Sequence, residues 1–319
     1  VRAVLIRLES WPLVAWAIYT GLGLVGTLAL GLAVCDGRDH PSDARLEIRV
    51  PRLPKAHKAK LPRPPLEGFV LKHTTYPDLA SVAQALLVDR PRVIGIGEIH
   101  QRVDRDGGGT ATLLQFANQL LPALASQTSD LVIETWMVDP ACKTGQARSQ
   151  QVERAMKRPA VTQSQISSLF GVTKANSITA HVMRLTCQDL DDVASDAGVQ
   201  VELLLGLVTR ELDRVTRSAV RFRDERQETR PLVLIYGGAL HNDLYPYQST
   251  RQWSYASSVD AAVGGRYVEL DLYAPEQVEG NPLYEGESWY PLVAKAASDH
   301  VVLIERAPHS YLVLLPRAK

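Results

Sequence analysis

A chain of 319 residues, 45% of them hydrophobic, carries ample material for a packed core, which sets it apart from low-complexity and disordered proteins. Its 35 basic and 35 acidic residues balance at a sequence pI near 7.2, so global charge gives no reason to expect a nucleic-acid partner. Three cysteines are too few for a disulfide scaffold and show neither zinc-ribbon nor Cys-x-x-C spacing.

From Trp11 to Val34 there is no charged residue; Arg2 and Arg7 precede this run and Cys35-Asp36-Gly37-Arg38-Asp39 follows it. It is long enough to cross a bilayer, and apolarity on all faces argues against a soluble amphipathic helix. The basic start, apolar middle and closing Leu32-Ala33-Val34-Cys35 resemble a bacterial lipoprotein signal, in which Cys35 is lipidated, although Val34 stands where Gly, Ala or Ser is usual. An uncleaved transmembrane anchor would use the same run. Residues 1–35 are therefore expected to be a signal peptide or an anchor, placing an extracytoplasmic protein on a membrane.

Residues 36–66 hold Pro41, Pro51, Pro54, Pro62, Pro64 and Pro65, interleaved with Arg49, Arg52, Lys55, Lys58, Lys60 and Arg63. That composition makes a stiff, basic linker, suited to a solvated spacer beside a membrane.

A single α/β domain is expected over 67–319, with a mostly parallel central sheet flanked by helices and a helical insertion or lid over 140–230. Tyr76 to Val88 carries an apolar stripe at Leu79, Val82, Ala83 and Leu86 and reads as a helix. Val93-Ile94-Gly95-Ile96-Gly97-Glu98-Ile99-His100 reads as a buried strand ending in an acid and an imidazole, which period-two alternation puts on one side. Gly95 and Gly97 leave room for a close approach on the other side. A loop with Gly107-Gly108-Gly109 leads to Thr110 as the N-cap of a helix through Leu113, Phe116 and Leu120.

Asp130 to Trp136 is a second strand, and its apolar run ends at Glu134. Leu203 to Glu225 is a long amphipathic helix covering a face or forming a lid. Pro231 to Gly238 is a third apolar strand, running through a double glycine to His241, with Asp243 beyond. The stretch Ile178 to Thr186 fits strand or helix equally. Gly265 to Leu272 alternates as a strand, and His300 to Glu305 with Tyr311 to Leu315 forms a terminal hairpin.

Three strands thus deliver Glu98, His100, Glu134 and His241 to their C-terminal ends, the edge where open α/β sheets bind ligands. Two histidines and two glutamates make a nitrogen and oxygen set suited to zinc, iron or manganese. In that reading His100, His241 and Glu134 are metal ligands, with Glu134 a ligand or base. Glu98 is the general base or the orienter of His100, and Asp243 orients His241.

Gly97-Glu98-Ile99-His100 and Gly238-Ala239-Leu240-His241, flanking Glu134, resemble the pattern of the ChaN, Tiki and erythromycin esterase superfamily, most closely its ChaN branch. The resemblance spans roughly 76–315 but rests on three short blocks. It implies that Glu98, His100, Glu134 and His241 form a shared polar centre. It also implies a choice of activities, since Tiki-like members are metal-dependent proteases, the esterases cleave a macrolide ester, and ChaN-like lipoproteins are associated with haem and iron uptake. The first expectation is a metal-dependent hydrolase acting on a small molecule or peptide. The alternative is a haem- or iron-binding lipoprotein without catalysis, for which Tyr236 and His309 are ligand candidates by type alone. With Cys35 lipidated and the domain exported, Cys142 and Cys187 are expected to pair.

Overall fold

The computed structural model describes residues 69–103 and 111–318. The expected signal or anchor, Cys35, the basic linker and the stretch from Gly107 to the Thr110 cap lie outside them. Among the described residues no helix is long and apolar enough to cross a membrane.

Strand β1 (Lys72–Tyr76) leads into helix α1 (Leu79–Leu86), whose first turn is closed by the Asp78 carboxylate accepting from Ser81 N–H at 2.8 Å. The stripe Leu79, Val82, Ala83 and Leu86 is buried, as its spacing predicts. Strand β2 (Val93–Glu98) is followed by helix α2, built from Thr112–Gln115, a π-helical turn over Phe116–Leu120, and Leu121–Leu124. Pro122, which has no N–H to donate, is the second residue after the π turn. Then come β3 (Thr128–Val138), α3 (Gly145–Met156), α4 (Thr162–Ala175), β4 (Thr179–Leu185) and α5 (Cys187–Val193). A small ribbon, β5 (Ala194–Ser195) with β6 (Gly198–Val199), precedes the long helix α6 (Val201–Glu225). Strand β7 (Leu232–Gly238), helix α7 (Ala256–Ala262), strand β8 (Tyr267–Tyr273), strand β9 (Val301–Ala307) and strand β10 (Ser310–Leu314) complete the main elements.

The eight-stranded sheet runs β1-β9-β10-β8-β2-β7-β3-β4. From β10 to β4 every neighbouring pair is parallel; β9 runs against β10, and β1 against β9. This is the mostly parallel α/β sheet with helices on both faces that the apolar runs predict. Alternation sorts the side chains. Ile94, Ile96, Leu234 and Tyr236 pack under α1, α2 and α4, while Val93, Val233 and Ile235 pack under α5, α6 and α7.

Two details were not anticipated. Strand β1 has four exposed residues of five, so it gives no alternating apolar signal, yet it pairs with β9 at the sheet edge. The segment 140–230, which reads as a helical insertion, also supplies β4, the strand that closes the other edge; this settles Ile178 to Thr186 as strand. Helix α6 covers a face, burying Leu204, Leu207, Val208 and Leu212. Cys142 and Cys187 form the expected disulfide, joining the chain just beyond the C-terminal ends of β3 and β4 with 5.3 Å between the Cα atoms.

Candidate active site at the strand ends

Strands β2, β7 and β3 lie side by side and parallel, so the residues at their C-terminal ends converge. Glu98 closes β2 and His100 lies two residues on. Their side chains fall on one side, with His100 Nδ1 2.9 Å from Glu98 Oε1. The second Glu98 oxygen accepts from the Tyr236 hydroxyl in a short hydrogen bond. Tyr236 is fixed from behind by Phe116, the first residue of the π turn, stacked with ring centroids 4.5 Å apart. Burial first, and then the Glu98 charge, pushes the Tyr236 pKa well above its ordinary value, so the phenol stays protonated and donates. Both Glu98 oxygens are therefore engaged. Glu98 orients the imidazole and is not placed as a free base.

Glu134 reaches the same point because β3 changes register there. Ile133 pairs with Val182 but the next paired residue is Trp136, opposite Met183, and pairing of β3 with β7 stops at Ile133. The irregularity frees Glu134 to turn toward β7, where its Oε2 accepts from Gly238 N–H at 2.6 Å. Two glycines make this possible. A Cβ on Gly237 would lie 2.6 Å from Glu134 Oε2, and one on Gly238 would lie 3.0 Å from His100 Nε2.

Glu134 Oε1 faces His100 Nε2 at 3.1 Å, and Arg158 Nη2 is 3.1 Å from each of them. Arg158 sits on the turn between α3 and α4. Nε2 cannot both donate to Glu134 and accept from Arg158, so the two contacts correspond to two protonation states of the ring. Burial and the Arg158 charge depress the His100 pKa, but the Glu134 charge and the hydrogen bonds to Glu134 and Glu98 outweigh them and raise it to about 9. Burial alone would raise the Glu134 pKa; the charge and hydrogen bond of His100, with His241 and Arg158, hold it below the usual carboxylate range instead.

His241 lies just past β7, on a turn in which its N–H donates to Gly238 O. Its Nδ1 is 2.9 Å from both the Trp253 carbonyl oxygen and Thr209 Oγ1 of α6. A carbonyl only accepts, so Nδ1 carries the hydrogen and Nε2 keeps its lone pair. Burial lowers the His241 pKa against the pull of Glu134, which keeps the ring neutral. Asp243 does not take the expected role of orienting His241. The chain turns after Gly238, and Asp243 Oδ1 accepts from Tyr245 N–H instead.

The residues enclose a cleft of ≈ 30 Å³, bordered by Glu98, His100, Glu134, Arg158, Tyr236 and Thr112, with room for about two water molecules. Of the haem-ligand candidates, Tyr236 is committed to Glu98, and His309 lies in the β9 to β10 turn, at the opposite edge of the sheet from His100. Gly95 and Gly97 serve packing. Cβ atoms there would lie 1.9 Å from the Tyr267 hydroxyl and 2.3 Å from Asp271 Oδ1.

The donor chemistry fits a divalent transition metal. His100 Nε2 and Glu134 Oε1 already converge on a cationic nitrogen, and His241 has the pattern of a ligand held through its other ring nitrogen. Among the described residues no three His, Cys, Asp or Glu side chains stand as a ready metal cage; Arg158 Nη2 lies 3.1 Å from both His100 Nε2 and Glu134 Oε1.

Reading the sequence missed Arg158, Thr209 and the Trp253 carbonyl. Thr209 alone left a trace, as a polar residue on the apolar stripe between Leu205 and Leu212.

No protein-family model matches the chain, no curated protein matches it, and no solved structure matches it.

Proposed function

We propose that this chain is a metal-dependent hydrolase of the ChaN and Tiki type, attached to a membrane and working outside the cytoplasm. The observation that carries the reading is the hydrogen-bonded series Tyr236, Glu98, His100, Glu134 at the ends of three adjacent parallel strands. The Cys142–Cys187 disulfide supports export to an oxidising compartment.

The chain's own groups have distinct tasks. Glu98 accepts from His100 Nδ1–H and so turns Nε2 into the cleft, as a carboxylate does for a metal-ligating or basic histidine. Tyr236 donates to the other Glu98 oxygen, keeping that carboxylate from competing for substrate. Glu134, anchored through Oε2 by Gly238 N–H, presents Oε1 to the cleft beside His100 Nε2. His100, His241 and Glu134 are the residues to hold a zinc, iron or manganese ion. Such an ion supplies Lewis-acid polarisation of an ester or amide carbonyl. The narrow cleft admits a single small group and water, which suits cleavage of a carbonyl on a peptide or small ester lying across the strand ends.

The test is hydrolysis of ester and peptide panels by the full chain, first stripped with a chelator and then restored with zinc or manganese. Metal-restored cleavage that is lost in Glu134→Gln supports the proposal. A Soret band on haem titration, with no hydrolysis under any condition, transfers the site to a binding role.

A further inference from the structure

We propose that Arg158 is an internal stand-in for the metal cation, closing the site when no metal is bound and swinging out when a divalent ion enters between His100 and Glu134. The inference rests on the metal-dependent reading above.

Geometry is the first ground. Arg158 Nη2 is 3.1 Å from His100 Nε2 and 3.1 Å from Glu134 Oε1, so a positive nitrogen already stands where both donors point. In a buried site two cations cannot share that position, since their repulsion is screened far less than in water. One must leave before the other can bind.

Arg158 is also held as a group able to leave. Its Nε is buried and has no hydrogen-bond partner, so that atom gives the guanidinium no further hold in the site. Its contacts in the site all come from one nitrogen, without the two-pronged clamp that makes arginine–carboxylate pairs durable. The residue lies outside both helices. Lys157 before it is in the left-handed region at φ 54 and Pro159 follows, so the side chain can be redirected without unwinding α3 or α4. Val103 N–H donates to Lys157 O, tying this turn to the chain leaving His100.

If metal must displace Arg158, the apparent affinity is the intrinsic affinity multiplied by the fraction of molecules in which the arginine has left the site. Calorimetric titration of the full chain with zinc tests this, comparing wild type with Arg158→Gln and the charge-keeping Arg158→Lys. The expected result is zinc binding at least roughly tenfold tighter in Arg158→Gln, with Arg158→Lys closer to wild type. A second readout uses the wild type alone. Phenylglyoxal labelling of Arg158, read by mass spectrometry, should rise when zinc is added. Equal or weaker zinc binding in Arg158→Gln, or labelling that zinc leaves unchanged, overturns the stand-in while leaving the metal site intact. Absence of zinc binding in all three proteins overturns both the stand-in and the metal-dependent reading.

Discussion

His100 Nε2 and Glu134 Oε1 stand 3.1 Å apart at the ends of β2 and β3, separated in sequence by 34 residues and brought together across the glycine pair of β7. This relationship depends on three supports: a carboxylate behind the imidazole, a missing side chain beneath Glu134, and a sheet edge that keeps its shape. Each support can be removed singly.

Replacing Glu98 by Gln keeps the shape but removes the charge behind His100 Nδ1. The ring then becomes a weaker donor through Nε2, and zinc affinity should fall roughly ten- to hundredfold with circular dichroism unchanged. An unaltered affinity would make Glu98 a spectator.

Gly237→Ala should do more damage than its one methyl group suggests. The new Cβ would lie 2.6 Å from Glu134 Oε2 and 2.9 Å from Glu134 Cβ, so the carboxylate must leave its place on Gly238 N–H. Overpacking of this kind costs about 1–3 kcal/mol of stability. Metal binding and hydrolysis should be lost together in a chain that still folds, as followed by thermal melting and zinc titration.

The disulfide should hold β3 and β4 together at the margin of the site. With a sequence separation of 45 between Cys142 and Cys187, loop-closure entropy alone is worth about 4 kcal/mol in the chain-entropy model. Cys142→Ser, or reductant, should lower the melting temperature substantially. Equal thiol counts in the denatured chain with and without reductant would rule the bond out.

Acid should loosen the far end of the same strands. Asp130, at the start of β3, accepts from Arg223 of α6 at 2.6 and 3.0 Å and lies 2.7 Å from His181 Nε2 of β4. Burial raises its pKa, but the hydrogen bonds from His181, Arg223 and Ser129 outweigh this and lower it to about 2. A depressed carboxylate stabilises the fold above its unfolded pKa of about 3.9, and the contribution disappears as pH falls toward the folded value. A loss on the order of 1 kcal/mol is expected between pH 4 and about 2, after allowance for screening. In Asp130→Asn that part of the acid sensitivity should be absent from melts across the same range.

Much of the site was legible because its signals are local. Glu98 and His100 are two residues apart on an extended chain, so alternation alone puts them together, and the apolar runs before Glu134 and His241 announce strand ends. That these strands deliver their residues to one end of a mostly parallel sheet was legible as well, but the strand order that makes them neighbours was not. Arg158 was not legible because its arrival depends on where the turn between α3 and α4 folds back, a long-range consequence of packing. Asp243 was expected to orient His241, but the backbone turns after Gly238 and the Asp243 carboxylate accepts from Tyr245 N–H. Strand β1 stayed hidden because an edge strand with exposed side chains carries no apolar alternation.

The most direct measurement is the metal content of the purified full chain beside His241→Ala, taken by elemental analysis after dialysis against zinc and manganese and accompanied by an absorbance spectrum. About one equivalent of metal in the wild type and little in His241→Ala is the result a metal-dependent hydrolase requires. Metal-free wild type, or metal retained equally in His241→Ala, would contradict it.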